Sequence, residues 1–286
     1  MRNIKNFFLE RPKLIGLFAF IIGYSGINSL PIYNDVVLRV LLSAVMIAIM
    51  FYFGGKKAVE FNFSNFKASV KKGYYPILVD CVFLAIQIAP IIITVKASGL
   101  PNGWVTHLFN TILLCLFVGI FEESMFRGII FSSFLPKRLG ESHKGIMIAL
   151  LISSIIFGAV HISAFFLQGG ELTPSSLTQA FLKTLQTGMF GFLLGAIFIK
   201  YRSIWGIAFI HFIGNFLLLS GSVFINVQAL TSSTSAASYV SGDFMGKVLI
   251  AVYALTCILS IPFIISAKKL VYSLELPEKG IFSSEN

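Results

Sequence analysis

Two adjacent glutamates and an arginine, Glu122, Glu123 and Arg127, stand inside the otherwise apolar stretch GIFEESMFRGII (119–130). Each ionised group at the centre of a bilayer costs roughly 2.5–3.5 kcal/mol on insertion scales, so such groups must face a bundle interior or a wet cavity. On a helix, Glu123 and Arg127 are four apart with the acid N-terminal, the favourable order for an ion pair. Glu122 is turned about 100° away and has no partner in its own helix. Taken alone, the three residues read most plainly as a structural ion-pair cluster.

Two later apolar stretches add polar groups at the same spacing. IIFGAVHISAFF holds Phe157 and His161, and GIAFIHFIGNFLL holds His211 and Asn215. A lone His or Asn in a span usually bonds a neighbouring helix. Their depths argue for more than that. Counted from the expected cytoplasmic helix ends, Glu122, His161 and Asn215 lie roughly 21, 24 and 16 Å deep at 1.5 Å per residue. His211 is one turn shallower. A carboxylate, two imidazoles and an amide meeting in a dry cavity form a candidate active site. Glu122 is the group to take a proton from water, and His161 can share that water. His211 and Asn215 offer N–H donors for the oxyanion of a tetrahedral intermediate. Arg127 compensates Glu123. This set of groups suits hydrolysis of an amide without a covalent intermediate.

The elements that must position these groups are transmembrane helices. The chain of 286 residues is 56% hydrophobic and 12% charged, with a mean hydropathy of +0.87. That composition fits an all-α polytopic membrane protein, a single domain over 1–286. Runs of about 20 apolar residues predict about eight spans: 14–33, 36–55, 75–95, 105–135, 146–166, 181–200, 204–221 and 246–267. The net charge of +10 has no basic–aromatic module behind it, so no nucleic-acid partner is expected. Instead, 17 Lys and Arg lie in alternate loops and 3 in the opposite set, which places both termini in the cytoplasm. Lys183 is counted in that opposite set, at the edge of the 181–200 span. Residues 56–73 form a cytoplasmic basic segment, and 222–245, rich in Ser, Ala and Thr, form an external loop. The basic N-terminus leads into an uncleaved first span, and the closing SSEN carries no prenylation signal. Cys81, Cys115 and Cys257 fall in apolar runs without paired spacing and read as packing residues. Gly191 and Gly195 form a GxxxG suited to close helix packing. Arg39 and Asp80 are the remaining charges of the early spans. A transport path is the alternative they raise, but no repeat relates the two halves, and mutual pairing or a reach toward an interface is the simpler expectation.

In this order and on successive helices, EExxxR (Glu122, Glu123, Arg127), FxxxH (Phe157, His161) and HxxxN (His211, Asn215) resemble the three motifs of the CPBP family. That family comprises type II CAAX prenyl endopeptidases and bacteriocin-processing and immunity proteins, also called the Abi family. EESMFRGII is similar to the prokaryotic form of the first motif, EExxFRGxx. The resemblance covers about 105–220, the catalytic core. It implies an intramembrane endopeptidase in which Glu122 and His161 activate water and His211 and Asn215 stabilise the oxyanion, with Glu123, Arg127 and Phe157 supporting. The family is often described as metalloprotease, and Glu122, His161 and His211 could bind zinc. The absence of HExxH favours a metal-free glutamic mechanism, so no cofactor is expected, with zinc the alternative. The implied partners are membrane lipids and a peptide or membrane-protein substrate. The implied location is a cell membrane, with the Lys-, Asn-, Ile- and Phe-rich composition pointing to a bacterial plasma membrane. A non-proteolytic immunity or peptide-binding role within the same family is the competing reading.

Overall fold

In the computed structural model, residues 4–30, 32, 34–136, 138–167, 172–225 and 243–282 are described, and among them there is helix and no strand. The principal helices are α1 (Pro12–Ser29), α2 (Asp35–Tyr52), α3 (Phe63–Lys72), α4 (Tyr74–Ser98), α5 (Trp104–Glu123), α6 (His143–Leu167), α7 (Pro174–Tyr201), α8 (Ile204–Leu219), α9 (Asp243–Leu259) and α10 (Ile261–Tyr272). α5 continues as a π-helix over Ser124–Phe131 and a last α turn, Ser132–Phe134.

Among the described residues, seven segments are long and apolar enough to cross a membrane: Asp35–Tyr52, Tyr74–Ser98, Trp104–Phe134, His143–Ser163, Pro174–Tyr201, Ile204–Phe224 and Gly246–Tyr272. This is the architecture of a multi-pass membrane protein. The eighth expected span, 14–33, forms α1 but ends at Ser29, ahead of Pro31. Lys13 and Asn28 also dilute its apolar content. α1 instead packs on the π-helix and the turn after it, where a Cβ on Gly23 would sit 2.4 Å from Met125 Sδ and one on Gly16 2.5 Å from Ser133 Oγ, while Gly26 lies against Leu42 of α2.

α7 starts earlier than the hydrophobic run suggests. Thr173 caps it, its side chain accepting from Ser176 N (3.1 Å) while Ser176 Oγ accepts from Thr173 N (2.9 Å), and Pro174 occupies the first turn. Lys183 therefore lies nine residues inside the helix rather than in the external loop.

The segment 56–73 contains α3, capped by Asn62, whose side chain accepts from Asn65 N (3.0 Å). Most of the 222–245 loop lies outside the described residues. The two ends of the described chain meet at one end of the bundle. Phe8 packs on Phe53 and Phe53 on Phe282, at 5.8 and 6.5 Å between ring centroids. Arg202 pairs with Glu278 at that end, and Lys200 Nζ donates to Ser273 O (2.7 Å).

Two close helix contacts bring the motif helices together. A Cβ on Gly119 of α5 would lie 2.7 Å from Ala208 O of α8, so the two backbones touch one turn before Glu122 and His211. A Cβ on Gly158 of α6 would lie 2.4 Å from Thr184 O of α7, next to Phe157 and His161. Only glycine permits such approaches, and here they set which side chains face one another.

Candidate active site

Glu123 and Arg127 form the fixed centre of the site. Arg127 Nη1 donates to Glu123 Oε1 at 3.0 Å, and both side chains are almost fully buried, at 1% and 0% exposure. The guanidinium lies 4.0 Å from the ring centroid of Phe157, a cation–π contact that helps hold a charge away from water. Gly191 makes room for it, since a Cβ there would come within 2.4 Å of Arg127 Nη2 and 2.9 Å of the Phe157 ring. The GxxxG of α7 thus accommodates an arginine as well as a helix neighbour; Gly195 faces Leu150 of α6, 2.5 Å from a Cβ placed there.

The π-helical segment carries Arg127. Wider i→i+5 turns leave carbonyls off the regular ladder, and serine hydroxyls take them up: Ser153 Oγ donates to Phe126 O (3.3 Å) and Ser132 Oγ to Arg127 O (3.2 Å).

Both histidines are held by their Nδ1 atoms. His161 Nδ1 bonds Phe157 O at 2.8 Å; a carbonyl only accepts, so this nitrogen carries the proton. His211 Nδ1 bonds Glu123 Oε1 at 2.7 Å, and the carboxylate, already paired with Arg127, again acts as acceptor. In the neutral rings both Nε2 atoms then carry lone pairs. Both face Glu122 Oε2, at 3.7 Å from His161 and 3.8 Å from His211. Among the described residues that oxygen has no hydrogen-bond partner. Three acceptors converge at separations too long for direct hydrogen bonds and short enough for one water to bridge. Oε2 itself is buried, and the 14% of the Glu122 side chain that stays accessible lies on its other atoms. Phe157 touches both histidines as well as Arg127, edge-on to His161 at 4.6 Å and to His211 at 6.1 Å.

His161, His211, Asn215 and Phe157 line one cavity of about 120 Å³. The structure thus gathers Glu122, Glu123, Arg127, Phe157, His161 and His211 in a single cluster and places Asn215 on the same cavity wall, one turn beyond His211. Among the described residues no group of three or more His, Cys, Asp or Glu side chains is gathered closely enough to hold a metal ion. The 3.7 and 3.8 Å separations also exceed the roughly 3.3 Å edge of a tetrahedron with 2.0 Å metal bonds. Glu122, His161 and His211 thus stand wider apart than the ligands of an ideal tetrahedral zinc site.

The cavity has further polar walls that sequence reasoning did not assign to the site. Asp80 of α4 lines it beside Gly214, where a Cβ would lie 2.8 Å from Asp80 Oδ2. Asp80 does not pair with Arg39: α2, which carries Arg39, packs against α5, whereas α4 packs against α8. Arg39 instead lies over the Phe121 ring at 5.5 Å. Lys183 and Gln186 of α7 also line the cavity. The available signal was periodic: Lys183, Gln186, Thr187 and Phe190 follow at i, i+3, i+4 and i+7, one helical face.

No curated protein and no solved structure matches the chain. Residues 103–217, from the start of α5 almost to the end of α8, match the family model described as type II CAAX prenyl endopeptidase Rce1-like. Those residues contain all three motifs and every residue of the Glu–His–Arg cluster, and over them the chain is similar to the Rce1-like type II CAAX prenyl endopeptidases.

Proposed function

We propose that this protein is an intramembrane endopeptidase that hydrolyses a peptide bond of a membrane-associated peptide or membrane protein. The family match supports a CAAX-type membrane peptidase at that general level. The observation that carries the finer reading is the convergence of Glu122 Oε2 with the two imidazole Nε2 atoms beside an intramembrane cavity. A water bridging Glu122 and His161 gives one proton to Glu122 as its oxygen adds to the peptide carbonyl. The tetrahedral oxyanion takes a hydrogen bond from the Asn215 amide, a permanent donor. His211, whose Nδ1 bonds Glu123 Oε1, donates from Nε2 only as an imidazolium. Collapse of the intermediate breaks the C–N bond, and the proton held by Glu122 passes to the departing amine. Water and one amide become a carboxylic acid and an amine, with no acyl-enzyme.

The mechanism needs no metal. Chelators are expected to leave activity of the purified enzyme unchanged; loss on chelation with recovery on adding zinc overturns this part. Substrates reach the site from the lipid phase of a bacterial plasma membrane, with both termini of the chain on the cytoplasmic face. Comparing membrane peptides from cells carrying wild-type and Glu122→Gln protein tests the central reading. Peptides present only with the wild type support it, and a variant that retains full function points instead to the non-proteolytic immunity or binding role.

A further inference from the structure

The face of α7 that closes the cavity carries a charge that the hydrolysis does not use. Lys183 lines the cavity with His161, His211 and Asn215. Among the described residues it makes no ion pair, and its Nζ stands 5.5 Å from the ring centroid of Tyr253. The acids of the site are Asp80, which lines the same cavity, and Glu122, beside the two histidines. Neither is free to serve it closely: Glu122 faces the two imidazoles, and Asp80 sits across the cavity against α8 at Gly214. An ammonium inside a membrane protein is costly unless an anion shares its site. One turn along the same face, Gln186 Oε1 is buried and has no hydrogen-bond partner among the described residues. A cation and an orphan acceptor on one wall, next to the reacting groups, match a segment that brings a carboxylate and an N–H.

We propose that Lys183 is a specificity residue whose ammonium receives a substrate carboxylate close to the scissile bond, with Gln186 accepting an N–H from the same segment. The carboxylate is either the substrate's free C-terminus or an Asp or Glu side chain. Asp80 serves as the longer-range counter-charge until substrate arrives. This rests on the peptidase reading of the site, but the test below measures binding without turnover and so fails or succeeds separately from it.

Full-length protein carrying Glu122→Gln, purified in detergent, is titrated with an N-terminally fluorescent, Ala- and Leu-rich peptide read by anisotropy. One arm has a free C-terminal carboxylate and a second is amidated. A third is amidated with an internal Glu, and a fourth has Gln in its place. At least one carboxylate peptide is expected to bind about tenfold or more tightly than its neutral counterpart, the size of one charge-assisted hydrogen bond. Which arm shows the preference identifies the source of the carboxylate. Adding Lys183→Gln removes the preference, and Lys183→Arg keeps it, which separates recognition from a folding defect. Equal affinities of charged and neutral peptides, no binding of the carboxylate peptides, or a preference that survives Lys183→Gln overturns the proposal.

Discussion

α4 and α7 are helices of similar length on the same cavity, and they treat apolar surface in opposite ways. α4 is the more apolar, yet only 6% of its membrane-crossing window is buried; α7 is less apolar, and 56% of its window is buried. Leu78, Val82, Ile86 and Ile93 of α4 are all more than half exposed, and lipid chains solvate them as well as protein would. α7 spends its small residues inside, Gly191 against Arg127 and Gly195 against Leu150. In a bilayer, hydropathy marks what crosses the membrane, while polar and small residues mark what lies at the centre. The charged cluster sits where α5, α6, α7 and α8 meet because that is the environment able to satisfy it.

The sharpest break of this contrast falls on the central cluster. Glu122→Gln keeps the shape of the side chain and is expected to lower product formation about 10³-fold or more while the protein still elutes as a folded species in detergent. Retained turnover would place the base elsewhere.

Arg127→Met leaves Glu123 buried without its partner, and the expected loss is about 3–5 kcal/mol of stability, read by thermal unfolding in detergent. A loss under about 1 kcal/mol means that His211 alone suffices to hold Glu123.

Gly191→Val puts atoms where the guanidinium and Phe157 already lie, with an expected cost of about 1–3 kcal/mol by the same measurement. The smallest effect belongs to the outer helix. Ile86→Ala, 62% exposed, is expected to change stability by no more than about 0.5 kcal/mol and to leave activity unaltered. A large change there would make α4 a packing element and dissolve the contrast.

Much of the site was legible because helical periodicity and membrane cost act locally. Four-residue spacing put Glu123 beside Arg127, and the expense of charge in hydrocarbon required an interior for Glu122, His161, His211 and Asn215. Local rules said nothing about which atoms meet across helices. That Glu123 serves both Arg127 and His211 depends on the Gly119–Ala208 backbone contact. That Gly191 houses an arginine depends on the rotation of α7 against the π-helical segment.

Segment ends mark the same limit. Hydropathy placed Lys183 at the rim of its span because Ser, Thr and Gln precede it, and a window average cannot distinguish a polar helix face from a loop. The Thr173 cap extends α7 outward and draws Lys183 into the cavity. Likewise, Arg39 and Asp80 are both intramembrane charges by sequence, and only the packing of α2 on α5 and of α4 on α8 separates them. The amino-acid order determines the spans, their polar faces and the three motifs, since each depends on neighbours a few residues away. The cluster's hydrogen bonds and the charged wall opposite it come from contacts between residues far apart in the chain, and the tertiary structure alone decides those.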